Sequence, residues 1–326
     1  MVCLITITSP EGLAVEFSVV NSIAISQSIK LLSDTAKVTL PRNISTAVDG
    51  KNQNLSRKNI LDFIAVGHSI KIELGYDDDL EVEFEGYIKR ISADIPLLIE
   101  CQDEMYKLTK TNFKKSFKDV RLTELIEFIA PAYELEVIDD LRLGKFIIAS
   151  ASAYEVLEAL RKDYLMHAYF VGQKLVIGFP ISIIPSKAHQ YNMNRNVRDA
   201  KSLEYLKADD VVLEIKAISN NRNGSKTIVT VGDSGGSSRT LNYANKTESE
   251  LKRLAENNLN SLKFDGYQGS FSAFGIPRTK AGDAIEITDP AYPEGDRSGK
   301  YLVEAVDIQF NTTSGFKRVV KPSLSI

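Results

Sequence analysis

Apolar and polar residues alternate in short runs through the first hundred positions, at 2–8, 15–20, 36–40, 69–74, 82–91 and 97–101, with Gly, Pro, Asn and Asp gathered between them. A period of two bounded by turn residues predicts short strands. Residues 51–64 form a polar interruption, within which a short helix over 59–64 is expected. The sharpest element is the pair of runs 70–76 and 80–91 around Asp77-Asp78-Asp79, which reads as a hairpin with a solvated turn. Along its second strand Glu81, Glu83 and Glu85 alternate with Val82 and Phe84. One face of that strand is therefore expected to be apolar and packed, the other acidic and wet.

From about Asp119 the period becomes helical. Leu122, Leu125, Ile126, Ile129 and Ala130 share one face, and Pro131 ends the run. Ser152-Ala153-Tyr154-Glu155 is a capping box that opens a second helix with Val156, Leu157, Leu160 and Tyr164 as its buried stripe. Residues 169–178 follow as a hairpin turning at Gly172-Gln173. Beyond them strands are expected at 211–218 and 225–231 around a turn at 220–224. A helix is signalled by the box Thr247-Glu248-Ser249-Glu250 and the stripe Leu251, Leu254, Ala255, Leu259 and Leu262. The runs 269–275, 284–288, 301–310 and 316–325 return to strand. The fold class is α+β, mainly β: a small α+β unit set between β-rich flanks.

The flanks resemble each other. Gly67-His68-Ser69-Ile70-Lys71-Ile72-Glu73 matches Gly282-Asp283-Ala284-Ile285-Glu286-Ile287-Thr288, each followed by an acidic turn. A second glycine-bearing strand then follows, Gly86-Tyr87-Ile88 in one case and Gly299-Lys300-Tyr301-Leu302 in the other. Such self-similarity points to two related barrels in one chain.

The chain length of 326 residues suits two domains at roughly 150 each. A net charge of −3 with no polybasic run argues against tight non-specific binding of nucleic acid, whose affinity comes from cations neutralising phosphates. Cys3 and Cys101 lie far apart in apolar stretches and read as small buried hydrophobes. No apolar stretch is long enough to span a bilayer, and the opening residues lack the basic start of a signal peptide.

One string suggests chemistry. Gly232-Asp233-Ser234-Gly235-Gly236 matches the surroundings of the nucleophile in chymotrypsin-like peptidases, where the glycines let backbone amides form an oxyanion hole. That reaction also needs a histidine base held by an aspartate. His68, His167 and His189 all lack the expected context, and Ser237 stands where a proline belongs. The segment reads as a glycine-rich loop after a strand, and a serine hydrolase using Ser234 is the alternative function. A module binding a polymer such as glycan is a third reading, but the aromatic residues are spread along strands as core residues are. No zinc spacing, calcium loop or phosphate-binding loop is present, and the three glutamates suit a row of charge better than an acid/base pair. No catalytic, cofactor or metal residue is assigned.

Taken in order along the chain, several segments resemble the baseplate hub proteins of contractile phage tails, the late control gene D family. They are Ala36-Lys37-Val38-Thr39-Leu40-Pro41, the stretch 67–76, Phe84-Glu85-Gly86-Tyr87-Ile88, Cys101-Gln102-Asp103-Glu104-Met105, and 153–160 followed by Tyr169-Phe170. In the last third Val231-Gly232-Asp233, Asp265-Gly266-Tyr267 with Gly269-Ser270-Phe271, and Gly299-Lys300-Tyr301-Leu302-Val303 fit as well. The resemblance implies two tail-tube-like β-barrels in tandem with an inserted α+β domain. The first barrel would span 1–110, completed by strands from 179–200, the insert 111–178, and the second barrel 201–326 with a helix at 247–262. It further implies a non-enzymatic homotrimer whose six barrels match the hexameric tail tube and whose threefold axis matches the trimeric central spike. Expected partners are the tube protein, a separate spike protein and other baseplate proteins, with DNA passing transiently through a channel. The implied location is the virion tail baseplate, reached from the host cytoplasm during assembly. Glu81, Glu83 and Glu85 are the expected channel-lining residues, repelling phosphates.

Overall fold

The computed structural model describes residues 1–41, 43–48, 50–56, 60–77, 79–92, 95–179, 185, 187–221, 224–291 and 298–326. The first hundred residues supply β1 (Val2–Thr8), β2 (Ala14–Phe17), β3 (Ser22–Ser28), β4 (Thr35–Leu40), β5 (Asn43–Val48), β6 (Lys51–Ser56), β7 (Ser69–Tyr76), β8 (Asp79–Ile91) and β9 (Leu97–Gln102). They pair antiparallel in the order β6-β5-β2-β1-β7-β8-β9-β4-β3. Period-two alternation holds where one face is packed: Cys3, Ile5 and Ile7 of β1 are buried and their neighbours are not. The polar stretch after residue 50 is β6, an edge strand with 51–54 exposed, so no apolar alternation marked it. Of the expected helix over 59–64, residue 59 lies outside the described residues. The rest is a turn in which the Phe63 and Ile64 amides both donate to the Ile60 carbonyl.

The middle of the chain is α1 (Met105–Leu108), β10 (Asn112–Arg121), α2 (Leu122–Ile129), β11 (Glu134–Val137), β12 (Arg142–Ser152), α3 (Ala153–Tyr164), β13 (His167–Val171) and β14 (Lys174–Gly178). The box at Ser152 forms as expected: Glu155 N–H donates to Ser152 Oγ at 3.3 Å, and Ser152 N–H donates to Glu155 Oε2 at 2.7 Å. The apolar stripes of α2 and α3 meet in one core, which excludes water around Leu125, Ile126, Val156, Leu157 and Leu160. β10 and β12 form a separate two-stranded ribbon, and β11, β14 and β13 a three-stranded sheet.

The last part contributes β15 (Ala188–Asn192), β16 (Val197–Asp199), β17 (Glu204–Leu206), β18 (Leu213–Asn220), β19 (Lys226–Gly232), β20 (Ser237–Ala244), α4 (Glu248–Leu262), β21 (Gly266–Gln268), β22 (Phe271–Phe274), β23 (Ala284–Thr288), β24 (Gly299–Asn311) and β25 (Gly315–Ser325). Two arrangements here differ from the expectation. β15 does not complete the first strands but runs parallel to β23, because Tyr191 packs edge-on against Phe271, with centroids 4.8 Å apart, and bonds Thr279 Oγ1 at 2.7 Å. Strands 211–218 and 225–231 also leave the long sheet. With β20 they make a three-stranded sheet that packs Ile215 and Ala217 on Leu251 and Ala255 of α4. Of the turn between them, residues 222 and 223 lie outside the described residues.

One ladder joins the two β-rich parts. β24 pairs antiparallel with β3, Ala305 opposite Ser28 through Asn311 opposite Ser22, so seventeen strands among the described residues form one hydrogen-bonded sheet over a contiguous core. Cys3 and Cys101 are free and buried in that core, where burial pushes their thiols up to about 11 and about 12.

The internal repeat has a shared backbone geometry. Gly67 donates to the Ile88 carbonyl at 2.8 Å and Ile88 donates back to His68 at 2.9 Å. Gly282 donates to Val303 at 2.9 Å and Val303 back to Asp283 at 2.8 Å. The two glycines have φ +93° and +87°. Registers then match, with Ser69 opposite Tyr87 and Ala284 opposite Leu302, so Gly86 corresponds to Tyr301 and not to Gly299. Ile70 and Ile72 are buried, as are Ile285 and Ile287. Since a Cβ has room at both glycines but a side chain is strained at this φ, Gly67→Ala and Gly282→Ala are each expected to cost about 1–2 kcal/mol in urea unfolding. Losses of very different size would contradict their equivalence.

Candidate functional site

The acidic hairpin is where the structure departs most from the alternating pattern. Between Ile72 opposite Phe84 and Glu73 opposite Val82, β8 carries one residue more than β7. That extra residue is Glu83, and a β-bulge re-aims the side chain it carries. Glu83 and Phe84 are consequently both buried, while Glu81 and Glu85 remain exposed. The three carboxylates do not share a wet face, and Glu83 is not available to line a channel.

Glu83 instead meets two arginines from the far end of the chain. Arg318 of β25 has no exposed surface and donates from Nη2 to Glu83 Oε1, from Nε to the Gly275 carbonyl at 2.7 Å and from Nη1 to the Thr279 carbonyl at 3.2 Å. Arg278 donates to Glu83 Oε1 at 3.1 Å, to the Leu74 carbonyl at 2.7 Å and to the Asp79 carbonyl at 2.7 Å. Its Nε lies 3.4 Å from Glu81. Desolvated charges persist when paired and hydrogen-bonded, and here two guanidinium groups converge on the one oxygen Oε1. The pattern of β25 carried a signal for this: Phe316, Arg318, Val320 and Pro322 fall on the buried face, so an arginine occupies a core register.

Beside this cluster lies a cleft of about 670 Å³ between the faces of β7 and β8, the segment after β3, and the tip of the β13–β14 hairpin. Asp34 and Asp103 stand at one end. Asp103 accepts from Asp34 N at 3.0 Å, Ser33 Oγ at 2.7 Å and Met105 N at 3.1 Å, while Asp34 accepts from Ser28 N at 3.1 Å. Burial, then the charge of Asp103, pushes the Asp34 carboxyl up to about 8; burial pushes Asp103 up to about 6. These bonds brace two chain turns. Among the described residues, no three His, Cys, Asp or Glu side chains gather where they could hold a metal ion.

Ser234 is exposed on the turn between β19 and β20. Asp233, beside it, accepts from Leu213 N at 3.1 Å and pairs with Lys263, whose hydrogen bond holds its carboxyl below the usual range. Gly232 is required for close approach, since a Cβ there would fall 2.2 Å from the Leu213 carbonyl oxygen. None of the three histidines lies on this sheet. His68 precedes β7, His167 is buried at the start of β13 with its ring held neutral to about 4 by burial, and His189 on β15 faces Asp283 at 3.1 Å. The sequence motif is a turn, and among the described residues no histidine is placed on its sheet.

Mainly β, with its α+β insert, the chain has a phage-tail-like fold. It superposes on the tail protein from Neisseria meningitidis MC58 with TM-score 0.67 at 12% identity, over 98% of this chain and 96% of that one. The 43 kDa tail protein of prophage MuSo2 from Shewanella oneidensis gives 0.62 at 14%, over 99% and 97%. A component of the E. coli type VI secretion system, described as similar in structure to the T4 bacteriophage tail proteins gp27 and gp5, gives 0.58 at 8%, over 99% and 76%. A family model described as the Alg8 N-terminal domain matches residues 5–143, under half of the chain. No curated protein matches the sequence.

Two outcomes follow. Glu83→Gln strands two arginines without their counter-charge and is expected to cost about 3–5 kcal/mol in urea unfolding; a loss below about 1 kcal/mol would contradict the role given to the cluster. Because the folded chain keeps the Asp34 proton where the unfolded chain has lost it, this group's contribution to stability falls as pH rises from about 4 to about 8. Asp34→Asn should therefore flatten the decline of the melting temperature across that window, and parallel profiles for the two proteins would refute the assignment.

Proposed function

We propose that this chain is a structural tail protein, the hub of a contractile baseplate, and not an enzyme. The observation that carries the reading is the match of nearly the whole chain to nearly the whole of two tail proteins. The match to a type VI secretion component supports a place near the spike. Three copies form a ring, each contributing two related β units marked by the paired glycine clasps, and the six units face a hexameric tube while the threefold axis faces a trimeric spike. The chain works in the virion tail, and DNA passes the ring without being bound.

The charge row is revised. With Glu83 buried against Arg318, and Glu85 at the cleft, Glu81 is the member left for the channel wall. A hydrolase is disfavoured because, among the described residues, Ser234 has no histidine on its sheet.

The test is cross-linking mass spectrometry on particles purified from cells producing them. Links between copies of this chain, and from it to the tube and spike proteins, are expected at the level of a stoichiometric component. A chain missing from the particles, or linked to neither neighbour, would overturn the hub assignment.

A further inference from the structure

The cleft beside the arginine cluster has hydrogen-bond acceptors without a partner among the described residues. Gln27 donates from Nε2 to the Glu83 carbonyl at 3.3 Å, which sets the two residues side by side along the cleft. Gln27 and Glu83 are 7% and 1% exposed, and Gln27 Oε1 and Glu83 Oε2 have no hydrogen-bond partner among the described residues. Both atoms are acceptors, so what complements them is a hydrogen-bond donor, and a lysine ammonium is one that also suits the charge of the neighbouring Glu85. Glu85 adds an exposed carboxylate at the same cleft. The rim is apolar: Leu31 is 53% exposed and Val171 is 57% exposed, each lining the opening. The surface thus fits a segment that presents cations and an apolar side chain together.

Such a segment exists in the same chain. The two-stranded ribbon of β10 and β12 exposes Lys114 and Lys145, and Ile147, two residues beyond Lys145 on the same face, is 57% exposed. Between Phe113 and Lys115 the ladder is interrupted, with β12 carrying one residue more than β10 opposite Lys114. The ribbon belongs to neither the long sheet nor the three-stranded sheets, and among the described residues no strand pairs with it from outside.

We propose that the β10–β12 ribbon of one copy docks in the cleft of the next, Lys145 reaching toward Glu85, Gln27 and Glu83 while Ile147 covers the apolar rim. This contact is heterologous: each copy offers a ribbon to one neighbour and a cleft to the other, so it repeats until the ring closes. The inference rests on the ring assignment above and names the surfaces that make it.

The test uses the full chain with Glu85→Cys and Lys145→Cys, singly and together, and a short bis-maleimide. Cys3 and Cys101 are buried, which keeps the background low. Covalent species that need both new cysteines and end at the trimer are expected, as is restoration by Glu85→Lys with Lys145→Glu of an association that either charge reversal alone abolishes. A chain that native mass spectrometry finds trimeric, yet whose double variant gives no cross-link or whose single variants cross-link equally well, overturns the ribbon contact and leaves the ring. A chain that is monomeric both alone and in the particle overturns the ring and the contact together.

Discussion

The ion pair between Glu83 and Arg318 joins residues 235 positions apart in the sequence and holds them in a place without water. Removing two charges from solvent costs more than their attraction returns unless every remaining donor is used. Here Arg318 spends its Nε and Nη1 on the Gly275 and Thr279 carbonyls, and Arg278 clamps Leu74 and Asp79 from the same loop. The hairpin of the first β-rich part, the 275–280 loop and the last strand are therefore positioned by one another. The bulge in β8, the path of the loop and the core register of Arg318 are three consequences of a single demand for neutralised charge.

Around that junction the two halves are built alike. A glycine at φ near +90° starts a strand whose partner returns two hydrogen bonds to the same place, once at Gly67 and once at Gly282. The halves differ in how they are finished: β1 flanks β7 antiparallel, whereas β15 flanks β23 parallel. A shared hinge with different outer strands lets one chain present two similar but unequal units. β24 against β3 then ties them into a continuous sheet, so their relative placement is part of the fold and not of a linker.

Among the described residues, the groups that read as chemical in the sequence have structural uses. The carboxylates with raised proton affinity brace turns, the histidines stand apart from Ser234, and the glycines of the 232–236 segment serve a tight approach of strands. Among the described residues, unpartnered acceptors at the cleft, the ribbon outside the larger sheets and the exposed edge strand β6 are the features left over by that packing.

By itself the sequence determined the elements whose signals are local. Capping boxes at Ser152 and Thr247 start helices because side chain and amide lie three residues apart, and amphipathic stripes such as Leu122, Leu125, Ile126 and Ile129 need only a core to face. The glycine repeat was legible for the same reason, since a positive φ is a property of one residue. Tertiary structure alone decided the rest. Edge strand β6 has no buried face to impose alternation, and β15 chose its neighbour through Tyr191 and Phe271. The acidic row was broken by one inserted residue, because strand periodicity assumes an unbroken ladder and the pull of Arg318 comes from the opposite end of the chain.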